Sequence, residues 1–234
     1  MRKNISFVMT LLAFVAMLMV TGATYATVVY DITSDDCSGT GGCGAQNPFG
    51  TVTVTTISTG DVQVAVNLLN NNKFVNTGFD GTIDFNLIGN PTISVSALPA
   101  NWSLVGGPNA AAGSHSMDGL GQFDYAILFC IPHSPGNPCE QGASGQDGST
   151  LTFHVFGTGI TEASFADKSQ IPPGSQQAFF GIDIISGTTG NTGPVDASNT
   201  GHPPQSIPEP STLLLFGAGL VAVSVFVRSR LAHR

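Results

Sequence analysis

The clearest signal in the middle of this chain is an alternation of polar and apolar residues with a period of two. It runs through Gly50-Thr51-Val52-Thr53-Val54-Thr55-Thr56-Ile57 and returns in Asp61-Val62-Gln63-Val64-Ala65-Val66-Asn67-Leu68. Successive side chains of a strand point to opposite faces, so Val52, Val54, Val62, Val64 and Val66 are expected on buried faces. Only Ser58-Thr59-Gly60 separates the two runs, which predicts a hairpin. Further strands are expected at Thr27 to Thr33, Thr82 to Ile88, Thr92 to Leu98, Gln122 to Cys130, Thr150 to Phe156 and Ala178 to Ile185. Each is rich in β-branched or aromatic residues and bounded by Gly, Asn or Pro. A short helical turn is expected at Thr161 to Asp167, and no long amphipathic helix interrupts the series. The pattern predicts an all-β body over residues 27–198, a single antiparallel β-sandwich of jelly-roll type. Its core should include Phe85, Phe123, Phe129, Phe153, Phe156 and Phe180.

Alternation gives way to unbroken apolar runs at both ends. Arg2 and Lys3 precede a run from Ile5 to Val20 that only Ser6 and Thr10 interrupt, and small residues follow as far as Ala26. A positive start, a short greasy helix and small residues at the cleavage point describe a signal peptide, here residues 1–26. Cleavage by signal peptidase is placed after Ala26, with Ala23 as the alternative. At the other end a Pro-rich spacer, residues 199–206, leads into Ile207-Pro208-Glu209-Pro210. An apolar helix over residues 211–227 follows, and then the basic residues Arg228, Arg230 and Arg234. Proline locks φ and keeps the residue before it out of the helical region, so the Pro208–Pro210 pair holds an extended segment that a processing enzyme can grip. The helix reaches roughly 22–26 Å at 1.5 Å per residue, a little short of the hydrocarbon core. Its terminal arginines should stay on the cytoplasmic side of the inner membrane, leaving the body outside.

Residues 207–234 closely resemble the PEP-CTERM sorting signal of Gram-negative bacteria, in which a Pro-Glu-Pro motif precedes a membrane helix and a basic end. Ile207 stands where Val is usual, a conservative change. The resemblance implies recognition by an exosortase, a membrane protease-transpeptidase that cleaves near the motif, so that the body is anchored first and then displayed at the cell surface or released. The body also resembles a recurrent set of bacterial PEP-CTERM ectodomains in three stretches. These are Asn47 to Val52, Asn72 to Gly78 and Gly187 to Asp196, and the last reads as a turn-rich connector. No activity is carried over by that second resemblance.

Charge sharpens the picture. The 234 residues are 41% hydrophobic and only 9% charged, and five of the seven Lys and Arg residues lie in the two terminal segments. Residues 27–208 hold 14 Asp and Glu against Lys73 and Lys168, a formal charge of −12. Nucleic-acid binding by counterion release needs clustered cations, so this body is excluded as a nucleic-acid partner. Four cysteines suit an oxidising compartment. Of the three possible connectivities the most economical closes two local loops, Cys37 with Cys43 and Cys130 with Cys139. The rival reading is a metal site drawing on His133 beside Cys130 and Cys139, but the tight paired spacing of a zinc site is missing.

Catalytic motifs are absent from the sequence. There is no HExxH pair, no Gly-x-Ser-x-Gly elbow and no Walker loop. His115 is expected in an exposed loop and His154 on the solvent face of a strand. Asp31, Asp35, Asp36, Asp183 and Asp196 lie near loops, but no Asp-x-Asp-x-Asp-Gly spacing links them, so they read as solubilising surface charge. Trp102 could stack on a sugar, although a core or turn place is usual for tryptophan in a β domain. The leading expectation is a non-enzymatic, exported surface or matrix protein without a cofactor, linked by resemblance to exopolysaccharide and biofilm. A glycan- or Ca²⁺-binding module is the second reading, and a secreted hydrolase ranks last.

Overall fold

In the computed structural model the alternating segments become the strands of two antiparallel sheets. Residues 26–78, 80–132, 139–170 and 176–198 are described. One sheet contains β1 (Thr27–Ile32), β3 (Gly50–Ser58), β4 (Asp61–Leu68), β12 (Thr150–Gly157) and β7 (Ile93–Ser96), in that order. The other contains β2 (Ser34–Asp35), β14 (Thr192–Ala197), β13 (Phe180–Ile185), β6 (Ile83–Phe85), β11 (Tyr125–Phe129) and β8 (Trp102–Leu104), with β5 (Lys73–Phe74) added beside β13. A separate two-stranded hairpin joins β9 (His115–Met117) to β10 (Gly121–Phe123).

The expected hairpin is β3 and β4, paired from Gly50 opposite Leu68 to Ser58 opposite Asp61, with a bulge near Thr56. Its five valines are all buried. They meet Leu151, Phe153 and Val155 of β12 and, from the second sheet, Phe74, Ile83, Phe85, Ile127, Phe180, Ile182 and Ile184 in a single core. Phe85 is at its aromatic centre, 5.6 Å from Tyr125, 5.5 Å from Phe165 and 6.1 Å from Phe180 between ring centroids. Phe165 arrives on the expected helical turn, a 3-10 segment at Glu162–Phe165 whose entry is tied by Ser164 Oγ accepting the Thr161 N–H at 3.1 Å.

The structure departs from the sequence reading at several places. Phe156 lies outside the core, 36% exposed, because the alternation of β12 sends it to the same face as Thr152 and His154, where it stacks on His154. Phe123 belongs to a smaller cluster with Met117, Leu120 and Ala178. The segment Gln122 to Cys130 is divided at Asp124 between β10 and β11. His115 stands in β9, opposite Phe123, and not in a loop. The end of the supposed connector is β14, paired with β13 along its length. Pro194 is tolerated there because its carbonyl, accepting the Asp36 N–H at 2.9 Å, faces the end of the two-residue strand β2, and the N–H it lacks would point to that same side.

The expected signal peptide, spacer, sorting motif and membrane helix fall almost wholly outside the described residues, as do the cleavage region up to residue 25, His133, Pro208, Glu209, Pro210, Arg228, Arg230 and Arg234. Among the described residues no helix is long and apolar enough to cross a membrane.

Truncating Phe85 to Ala removes the ring at the meeting point of three others, so Phe85→Ala should cost about 3–5 kcal/mol. Phe156→Ala, on the open face, should change stability by no more than about 0.5 kcal/mol. Urea unfolding followed by circular dichroism checks both, and comparable losses from the two variants would contradict this assignment of the core.

Candidate functional site

The central strands of the second sheet, β14, β13, β6 and β11, are buried on both faces. The sheet's inner face looks into the main core, and against its outer face lie the β9–β10 hairpin, Thr77 and Gly81. Gly181 on β13 marks the contact: a Cβ there would lie 2.4 Å from Met117 Sδ and 3.1 Å from a Leu120 methyl. On the outward side of the same row, Gly181 is paired with Asp84 on β6 and with Asp196 on β14. Asp183 follows two residues along β13, on that same side. Three carboxylates are thus enclosed between the sheet and its cover: Asp84 and Asp183 have no exposed surface, and Asp196 is 1% exposed.

Their supports are unequal. Asp196 accepts a hydrogen bond from Gln176 Nε2 at 3.2 Å and feels the charge of Lys168, whose ammonium lies 4.8 Å from the Phe179 ring. Asp183 Oδ2 accepts from the Thr77 hydroxyl, while its Oδ1 has no partner. Asp84 has none at either oxygen. Its carboxylate lies against Gly81, where a Cβ would fall 1.7 Å from Oδ1, so that position excludes any side chain. Burial, reinforced by the charges of Asp183 and Asp80, holds the Asp84 carboxyl well above the ordinary carboxylate range. Burial pushes Asp183 up to about 7, opposed by the Thr77 hydrogen bonds and reinforced by Asp118. Asp196 rises to about 6, mainly through burial, with Ser198 and Lys168 pulling the other way.

Other candidate chemistry resolves into structure. Both local disulfides form, Cys37 with Cys43 and Cys130 with Cys139. Asp35, Cys37 and Cys43 bring ligand-type atoms within 4.8 Å of one another, but both sulfurs are in the bridge and Asp35 Oδ2 accepts the Cys43 N–H at 2.6 Å. No thiolate remains there for a metal. His154 Nδ1 is 2.8 Å from Asp61 Oδ1, two-thirds of a catalytic triad, but the other ring nitrogen meets the Gln63 side-chain amide at 3.4 Å, where a triad would need a hydroxyl or thiol. Trp102 is buried, edge-on to Phe74, with its indole N–H donated to Asp147 Oδ2 at 2.6 Å, and offers no open face to a sugar.

Comparison with protein-family models supplies the decisive observation about destination. Residues 206–230 match the PEP-CTERM protein-sorting motif. This chain carries a PEP-CTERM sorting signal. No curated protein and no solved structure was found to match it. The PEP-CTERM motif implies an exported, exosortase-targeted protein sorted by way of the membrane. In the body of the chain the structure turns two of the supposed surface charges, Asp183 and Asp196, into interior groups, and leaves Asp36 exposed. Asp84 escaped notice because it sits in the short run Ile83-Asp84-Phe85, where alternation places it on the outward face. An outward strand residue is solvated only if nothing covers that face, and the hairpin that covers it comes from more than thirty residues further along the chain.

The enclosed carboxyls make a pH prediction whose sign is opposite to that of a salt-bridged acid. Because Asp183 titrates near 7 in the folded chain against an ordinary value of 3.8, the native state binds more protons than the unfolded state in between. Its contribution is fully present below the ordinary value and is lost as pH rises through about 7. In the presence of a chelator, Tm should therefore fall between pH 4 and 7, about in step with deprotonation, and Asp183→Asn should flatten that slope. A wild-type Tm that climbs steadily across the same interval, with an unchanged slope in the variant, would be the contrary result.

Proposed function

We propose that this chain is a non-enzymatic structural or adhesive component of the bacterial cell surface or extracellular matrix, associated with exopolysaccharide. Signal peptidase removes the N-terminal segment, the C-terminal helix holds the body at the inner membrane, and exosortase acts near Pro208-Glu209-Pro210 before the body is displayed or released. The sorting motif at residues 206–230 carries this reading. Two observations support it. Both cysteine pairs are oxidised into short local loops, which suits folding beyond the reducing cytosol. The −12 charge of residues 27–208 favours a soluble, dispersed body. The His154–Asp61 pair, closed by an amide and not by a nucleophile, adds nothing to a hydrolytic reading.

The reading is tested by localisation and intact mass of the chain in cells with and without the exosortase. The expected product begins at Thr27 and has lost its basic tail only where the exosortase is present. Replacing Pro208, Glu209 and Pro210 together by Ala should leave the chain unprocessed and membrane-held. Recovery of the intact 234-residue chain from the cytosol with reduced thiols would overturn the proposal.

A further inference from the structure

The carboxylates on the covered face of the second sheet have a use that their packing suggests. Asp84 is fully buried and neither of its oxygens has a hydrogen-bond partner among the described residues. Asp183, two residues along the neighbouring strand from Asp84's partner Gly181, has one oxygen held by Thr77 and the other unpartnered. Asp80 and Asp118 are exposed to solvent and near enough for their charge to be felt, Asp80 by Asp84 and Asp118 by Asp183. Among the described residues Asp80 Oδ2 is held by one contact, from the Ser116 N–H at 3.4 Å. Among the described residues no Lys or Arg acts on Asp84 or Asp183; the charges that reach them are those of other aspartates.

An unpaired ionised carboxylate in such a place costs several kcal/mol, and two remedies exist. Protonation removes the charge but leaves a hydroxyl donor and a carbonyl acceptor, each still in need of a partner. A bound cation satisfies both oxygens at once and also neutralises the neighbouring acids. We propose that Asp84 and Asp183 form the inner half of a Ca²⁺ site beneath the β9–β10 hairpin, completed by Asp80 and Asp118 turning inward from its margin. The donor set is all oxygen, without His or Cys, which selects a hard divalent ion. Ca²⁺ accepts six to eight oxygens in irregular geometry, which suits two fixed carboxylates joined by two movable ones, whereas Mg²⁺ demands a near-ideal octahedron. Binding there joins β6 and β13 to the covering hairpin, so the ion also fastens the cover to the sheet. An exported body meets Ca²⁺ at concentrations where a dissociation constant of roughly 10⁻⁴–10⁻³ M is effective.

The test is calorimetric titration and thermal unfolding of the purified full-length chain in detergent, after chelation, with CaCl₂ and MgCl₂ as the probes. One Ca²⁺ per chain should bind, and Tm should rise by about 3–6 °C at a tenfold excess over Kd, with a smaller response to Mg²⁺. Asp84→Asn keeps the shape and removes the charge, so it should fold, be at least as stable as the wild type in chelator, and lose the Ca²⁺ response. Asp183→Asn should weaken binding at least tenfold, and it carries the test by itself if Asp84→Asn fails to fold. Asp61→Asn, on the outer face of the other sheet, should respond like the wild type. Absence of binding by the wild type at about 10 mM Ca²⁺, retention of full affinity in both pocket variants, or equal loss in Asp61→Asn would each overturn the proposal. A chain that binds Ca²⁺ yet is never processed by exosortase would leave the site standing and remove only the sorting account.

Discussion

A sheet covered on both sides has no face left on which to keep its charges in water. That constraint governs the second sheet of this protein, because its inner side closes the main hydrophobic core while its outer side lies beneath the β9–β10 hairpin. Gly181 lets the cover come close, since Met117, Leu120 and Phe123 occupy the space that a side chain would take. The same closeness removes water from Asp84 and Asp183. Apolar packing and charge burial therefore have one cause, and the pocket could not lose its acid character without loosening the hairpin or losing the aspartates themselves.

The first sheet shows the opposite arrangement. One face of β3, β4 and β12 is packed with valine, leucine and phenylalanine, and the other presents Thr53, Gln63, Thr152 and His154 outwards. Polar groups there are served by solvent or by neighbours, as where His154 meets Asp61 and Gln63. No enclosure raises the acidity question on that side. The chain thus keeps an open polar face on one sheet and an enclosed acidic face on the other.

Short-range covalent ties and hydrogen-bonded loops hold the ends of the sandwich. The Cys37–Cys43 bridge closes a Gly-rich loop whose Cys43 carbonyl accepts from Gln46 Nε2 and Ser186 Oγ, both at 2.8 Å. Asn72 contributes from the β4–β5 connection, donating to Gln46 Oε1 at 2.9 Å and accepting the Gly187 N–H at 3.0 Å. Three segments far apart in sequence are thereby joined at one end of the body. Their polar residues serve as fasteners for loops whose glycines could not order themselves.

Much of this was legible in the residues themselves. Period-two runs located β3 and β4, and enrichment in β-branched and aromatic residues between Gly, Asn or Pro located β1, β12 and β13. The Pro208-Glu209-Pro210 motif, with the apolar run and basic residues after it, marked the C-terminal sorting motif that the family comparison also finds. Strands β2, β5, β8 and β9, each of two or three residues, carry too few positions for any period, and β14 was disguised by Gly193 and Pro194. The fate of the aspartates was hidden for a deeper reason. Whether Asp84 and Asp183 meet water depends on a hairpin that packs across the sheet from a remote part of the chain, and no local pattern encodes which of two faces will be covered. Local sequence thus determined strands, bridges and destination, while only the tertiary structure decided which charges are enclosed, because burial belongs to the packed assembly of segments and not to any one of them.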